Sequence, residues 1–169
     1  MLKDLPLPAT LTVRGGPLTL RRAQEGDLPG LMRLLADDSI SASRGDGPGS
    51  DPEPYRLALQ DLVDDQGNDL LLVEDPDGTA IAMLQLTRTP GLSRRGSTRL
   101  LVEAVRVGTG HRSAGLGSAM LRWVTGIAAP ALGASLVQLT SDASRVEAHR
   151  FYTRLGFVGS HIGFKYQLP

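Results

Sequence analysis

Apolar positions change their spacing repeatedly along this chain, and each change marks an element. Residues 11–13 suggest a short strand. Residues 18–22 alternate apolar and polar side chains, the period of a half-buried strand. Leu28, Leu31, Met32, Leu34 and Leu35 then fall three and four apart, which predicts a helix opened by Asp27 as N-cap with Pro29 in its first turn. Residues 55–63 repeat the helical spacing. Two apolar runs, 69–74 and 79–88, flank Asp75-Pro76-Asp77-Gly78. There Pro sets φ and Gly supplies a positive φ, so the runs predict an antiparallel hairpin. Residues 98–107 form the longest strand candidate, apolar on both sides of Glu103 and so expected to lie centrally.

A helix is expected from Gly115 to about residue 129, with Leu116, Met120, Leu121, Val124 and Ile127 as its core stripe and Trp123 near its edge. Pro130 should end it. Residues 135–140 read as a buried strand and 144–155 as a last helix closed by Gly156. Residues 157–158 and 162–168 predict a final strand pair, and Phe151, Phe157 and Phe164 are expected in the core. Residues 1–16, with two prolines and Gly15-Gly16, read as a loose N-terminal arm, leaving 17–169 as one domain. Residues 41–54, crowded with Ser, Gly, Pro and Asp, read as a mobile loop. The element order predicts an α+β fold, a central mixed and mostly antiparallel sheet flanked by helices.

Charge adds an asymmetry. Up to residue 80 there are 15 acidic and 7 basic residues; from residue 81 onward there are 3 and 11. The second half is electropositive, but its basic residues are scattered, which argues against nucleic-acid binding. The chain has no cysteine, so disulfides, a catalytic thiol and thiolate metal sites are excluded. Its three histidines are widely spaced, and no metal site is expected. With no long apolar run and no signal-peptide pattern, no membrane association is expected and a cytoplasmic location follows by default.

The chemistry concentrates at HRSAGLG, residues 111–117, between the long strand and the helix after it. Gly115 and Gly117 let the backbone approach a ligand closely, and the first helical amides have no internal partner. Arg112 offers a positive fork. The stretch predicts an anion cradle suited to a pyrophosphate. No P-loop is present, and Met120 leaves the dinucleotide pattern G-x-G-x-x-G incomplete.

RSAGLG resembles the R/Q-x-x-G-x-G/A motif of the GNAT acyl-CoA N-acyltransferases. AHRFYTRLGF, residues 148–157, resembles that family's later A-x-x-x-Y-x-x-x-G-F motif, and the two stand in the family's order. The resemblance covers the chain from about residue 18 onward. It implies a GNAT-like fold and acetyl-CoA as co-substrate. It also implies an N-acetyltransferase acting, by direct attack in a ternary complex, on a primary amine of a small molecule or peptide. By the resemblance, backbone groups of Val105 and Val107 would bind the pantetheine arm. Ser113, Ala114, Gly115, Leu116, Gly117 and Ser118 would hold the phosphates with Arg112, and Tyr152 would protonate the leaving thiolate. Many members carry an Asn where Arg145 stands here; Arg145 would instead reach a phosphate or serve as a surface charge. Glu103 is the only acid between Gly78 and Ser141. It is either a base, its pKa raised by burial, or a structural acid paired with Arg99 or Arg106. The alternative function is an acyl-CoA-binding sensor without acceptor chemistry. A homodimer stays open.

Overall fold

A computed structural model describes residues 1–38, 40, 42 and 45–168. The expected 41–54 loop falls in part on Ser41, Ser43 and Arg44, outside the described residues. Six strands follow one another across a single sheet in chain order: β1 (Ala9–Val13), β2 (Gly16–Arg22), β3 (Asn68–Glu74), β4 (Ala80–Thr89), β5 (Thr98–Val107) and β6 (Ala134–Leu139). The pairs from β1 to β5 are antiparallel, and β5 with β6 is parallel. This is the mixed, mostly antiparallel sheet of an α+β fold.

Turn chemistry sets the hairpins. In the β3–β4 turn the Asp75 carboxylate accepts from the amides of Asp77 at 3.0 Å and Thr79 at 2.8 Å, while Gly78 takes φ 80°. Parallel β6 needs a crossover. That is α3 (Leu116–Trp123), which continues through a π turn at Val124–Ala128 into Ala129–Ala131. Pro130 therefore lies inside the helix. It cannot donate to Gly126, and the wider turn just before it absorbs the missing bond. The extra residue per turn also slips the apolar stripe beyond Trp123: Ile127, in phase with Leu116 and Met120 on a plain helix, is exposed, while Trp123, before the wide turn, is buried rather than near the edge.

Two layers cover the sheet. On one face α1 (Leu28–Ala36) and α2 (Pro52–Asp64) bury Leu70, Leu72 and Met83. On the other, α3 packs with Leu20, Leu71, Leu84, Leu100 and Val102. Leu2, Leu5 and Leu11 are buried in the same cluster, so the expected loose arm is corrected: residues 1–16 supply a short 3₁₀ turn and β1 to the core. Asp27 stands at the N-cap position but makes no cap bond to α1. Its carboxylate accepts from the Gln24 amide and from both Nη atoms of Arg21, whose Nε donates to Glu74.

The last helix, α4 (Val146–Arg154), lies against the α3 face through Phe151, Tyr152 and Leu155, and Gly156 follows it at φ 90°. The expected closing strand pair is not formed. Residues 157–168 contain no strand, and Phe164, expected in the core, is exposed.

Candidate active site

β5 and β6 separate partway along their length. Their pairing runs from Thr98 opposite Ala134 to Val102 opposite Leu139 and stops, while β5 continues to Val107. At the same place β5 bulges against β4: Gln85 pairs with Glu103 and Met83 with Arg106, leaving Ala104 and Val105 opposite Leu84 alone. Ala104 takes φ 49° to make the bulge. The result is a wedge-shaped opening bounded by residues 103–107.

The backbone along that opening has a definite polarity. Gly108 donates to the carbonyl of Ile81, so alternation along the antiparallel ladder turns the N–H and C=O groups of Val105 and Val107 toward the opening. Both carbonyls already accept from arginines. Arg106 Nη1 donates to Val105 O at 2.9 Å, and Arg112 Nε to Val107 O at 3.0 Å. A carbonyl has a second lone pair, so an extended ligand can still add to this edge.

Beyond Val107 a 3₁₀ turn at Thr109–His111 leads into the cradle. Ser113 at φ 64° and Gly115 at φ 87° bring the amides of Leu116, Gly117 and Ser118 to the open start of α3. The two glycines serve different ends. A Cβ at Gly115 would meet open space, so φ alone selects glycine there. A Cβ at Gly117 would stand 3.3 Å from Phe151 Cζ and 3.7 Å from Val107 Cγ2, so that glycine seats α4 against α3. Ser113 and Ala114 lie on the loop as expected.

Two predicted phosphate ligands have partners within the chain. Arg112 bonds to Val107 O and lies 3.2 Å from the Asp37 carbonyl, so it braces the loop while its side chain stays half exposed. Arg145, expected to reach a phosphate or to be a surface charge, forms a bidentate pair with Asp38, Nη1 to Oδ2 at 2.7 Å and Nη2 to Oδ1, that ties α4 to the end of α1. Neither Asp37 nor Asp38 stood out in the sequence. Asp37 accepts from the Thr109 amide at 2.6 Å and from its hydroxyl. Those bonds hold its carboxyl below the usual range, with a smaller push from Arg112.

Tyr152 sits on α4 between Phe151 and Phe157, with ring centroids at 5.2 Å and 5.9 Å. It packs on the cluster that includes Val105 and Val107. Burial raises its hydroxyl pKa, against a smaller lowering by Arg106 and Arg145, so the phenol keeps its proton at neutral pH. Arg106 is half-buried, and burial lowers its pKa.

Glu103 is exposed rather than buried, which corrects the expectation of a desolvated carboxylate. Its register with Gln85, and that of Gln85 with Leu70, puts it on the α1–α2 face. That layer covers Leu70, Met83 and Ala104, but not the polar row of Asn68, Gln85, Thr87 and Glu103. Asn68 Oδ1 accepts from Gln85 Nε2 at 3.2 Å and Thr87 Oγ1 at 2.6 Å. Arg99, one expected partner of Glu103, turns instead to Gln138 at 3.4 Å. Glu103 is the first β5 residue past its last pair with β6, so it stands at the mouth of the opening.

A cleft of about 640 Å³ lies between α1, residues 47–49, the start of β4 and the cradle loop. It reaches neither Glu103 nor Tyr152. No group of three or more metal-ligating side chains occurs among the described residues, and no described helix is long and apolar enough to cross a membrane.

The model of the acetyltransferase (GNAT) family matches residues 31–157. A transcriptional regulator from Bacillus halodurans C-125 is 35% identical over 89% of this chain and 99% of its own, with a TM-score of 0.82. An acetyltransferase from Trypanosoma brucei is 24% identical over 89% and 99%, with a TM-score of 0.71. Glucosamine-6-phosphate N-acetyltransferase from Arabidopsis thaliana shares the fold at 17% identity over 90% and 99%, with a TM-score of 0.72. Comparison with curated proteins gives no significant match. With an open wedge beside a cradle of helix amides and a family match over most of its length, the chain belongs to the GNAT family of acetyltransferases.

Proposed function

We propose that this protein transfers an acetyl group from acetyl-CoA to a primary amine of a small molecule or peptide, by direct attack while both substrates are bound. The observation that carries the reading is the separation of β5 from β6, with Tyr152 on the same apolar cluster as Val105 and Val107 and Glu103 at the mouth of the opening. The cradle fits a diphosphate: two left-handed residues and the first amides of α3 supply donors without requiring a charged side chain. The inward N–H groups of Val105 and Val107 fit the amide-bearing arm of CoA. When bound, acetyl-CoA supplies an activated carbonyl.

The chain's own residues then have separable tasks. Glu103 accepts a proton from the incoming amine, directly or through a water. Backbone amides at the bulge stand where charge develops on the carbonyl oxygen. Tyr152, kept protonated by burial, donates to the departing sulfur. No enzyme nucleophile is needed, and the chain has no cysteine to supply one.

A second reading, an acyl-CoA-binding module without acceptor chemistry, draws on the Bacillus halodurans relative being a transcriptional regulator. Thiol release from acetyl-CoA across a panel of amino sugars, polyamines and peptides separates the two. Turnover with any amine supports transfer. Tight acetyl-CoA binding with no turnover on the whole panel supports the sensor.

A further inference from the structure

Glu103 has a polar neighbour at the mouth of the opening. Directly opposite it on the β4–β5 ladder is Gln85, whose own partner on β3 is Leu70, so all three lie on the α1–α2 face. Opposed side chains on one face of an antiparallel pair have Cβ atoms about 4.5–5.5 Å apart, so the Gln85 amide and the Glu103 carboxylate share one patch of surface. The helices leave that patch open: Gln85 is half-buried and Glu103 exposed.

The Gln85 amide is turned one way by a chain of bonds that starts at Asp65. The Asp65 carboxyl is held below its usual range by the Gly67 amide first and then by the Asn68 side chain. An ionised carboxylate only accepts, so Asn68 gives its NH2 group to Asp65 and keeps its carbonyl oxygen for the sheet. That oxygen accepts from Gln85 Nε2 at 3.2 Å and from Thr87 Oγ1 at 2.6 Å. Gln85 therefore turns its NH2 group toward β3. Oε1 is the other arm of the same planar amide, and no described side chain donates to it. Two acceptors, Gln85 Oε1 and the Glu103 carboxylate, thus stand side by side at the mouth.

We infer that Gln85 binds the acceptor nitrogen and makes the enzyme selective for primary amines. Given transfer to an amine with Glu103 taking its proton, as proposed above, that nitrogen has four directions to use. One holds the substrate's own carbon, and another, the lone pair, faces the thioester carbonyl. In a primary amine the two that remain are N–H bonds, and they match Gln85 Oε1 and Glu103. As the N–C bond forms and the C–S bond breaks, the N–H on Glu103 gives its proton to that carboxylate. The sulfur leaves with the bonding pair and takes a proton from Tyr152, and the N–H on Gln85 remains in the amide product. A secondary amine or an alcohol brings a single hydrogen. It leaves one of the two acceptors without a donor, which costs binding in a half-buried place.

Thiol release is measured with the amine that the unmodified chain turns over fastest and with its N-methyl derivative. Gln85→Leu should raise KM for the primary amine about tenfold, the scale of one lost hydrogen bond, with kcat and acetyl-CoA affinity little changed. The N-methyl amine should be affected much less, so the preference for the primary amine shrinks. Asn68→Ala keeps Gln85 but frees its amide to turn, and should shrink the preference in the same direction by a smaller factor. Turnover with an unchanged preference in Gln85→Leu, or an equal loss on both amines, overturns the inference and leaves transfer standing. If Gln85→Leu fails to fold, Asn68→Ala decides by the same comparison. No turnover of any amine by the unmodified chain overturns transfer and the inference with it.

Discussion

Arg145 grips Asp38 through both of its terminal nitrogens, joining the first turn of α4 to the end of α1 across 107 residues of sequence. The pair is largely buried, so removing one charge leaves the other badly placed. Asp38→Asn should lower unfolding stability by about 1.5–3 kcal/mol, the range for a bond to a charged group. Asp38→Asn with Arg145→Gln should cost less than the two single changes added together. Urea unfolding of the four proteins measures this, and strict additivity would mean that the pair contributes no coupling.

Tyr152→Phe should leave the fold and acetyl-CoA affinity intact and lower kcat by roughly tenfold or more, the usual scale for losing a general acid. The ring contacts with Phe151 and Phe157 survive this change, so only the hydroxyl is tested. Steady-state rates within twofold of the unmodified enzyme would remove Tyr152 from the proton transfer.

Glu103→Gln should lower turnover most near neutral pH and least in alkali, where the amine sheds its proton unaided. Because Glu103 is exposed, the change should leave thermal stability nearly untouched. A pH–rate profile running parallel to that of the unmodified enzyme would demote it to a polar member of the Asn68–Gln85 row.

Gly117→Val should destabilise by about 1–3 kcal/mol through overpacking against Phe151, and Phe151→Leu should recover part of that loss. Gly115→Ala should cost about 1–2 kcal/mol from its left-handed backbone, with no recovery from Phe151→Leu. Thermal melts of the two series distinguish contact from conformation.

Asp37 links acidity to the cradle loop. Its folded pKa lies below the ordinary carboxylate value, so its stabilising contribution is complete above about pH 4 and is lost as pH falls toward the folded value. Between pH 5 and pH 3 the unmodified chain should lose more stability than Asp37→Asn, as read by urea midpoints. Equal losses would show that the Thr109 bonds contribute nothing through ionisation.

The sheet was readable because its signals are local. Alternation, Pro76 with Gly78, and the apolar length of 98–107 each act within a few residues. The cradle and Tyr152 were readable as motifs. The missing parts depend on partners distant in sequence. The partners of Arg112 and Arg145, Asp37 and Asp38, arrive from the end of α1. Glu103 looks buried because its neighbours in β5 are apolar, yet its exposure depends on where the α1–α2 layer stops. Ile127 left the core stripe because a π turn changes the helical phase, and no residue pattern around Gly126 announces it. The alternation at 162–168 marks a strand but does not say which edge receives it.

The order of strands across the sheet also bears on how the chain acquires its shape. β1 to β5 are neighbours in space in the order in which they occur in sequence, and three of their four joints are hairpin-like or close to it. The β2–β3 joint must wait for α1 and α2, and the β5–β6 joint for α3, to be laid down between their partners. Pairings of low sequence separation form soonest, so the β1–β2 and β3–β4–β5 hairpins lead and these two joints close later. Both late joints have short registers, four pairs between β2 and β3 and five between β5 and β6, and local opening concentrates at such places. The seam proposed to part around a thioester is thus one of the two that the folding order leaves weak. Amides of 134–139 should exchange with solvent ahead of those in β3 and β4.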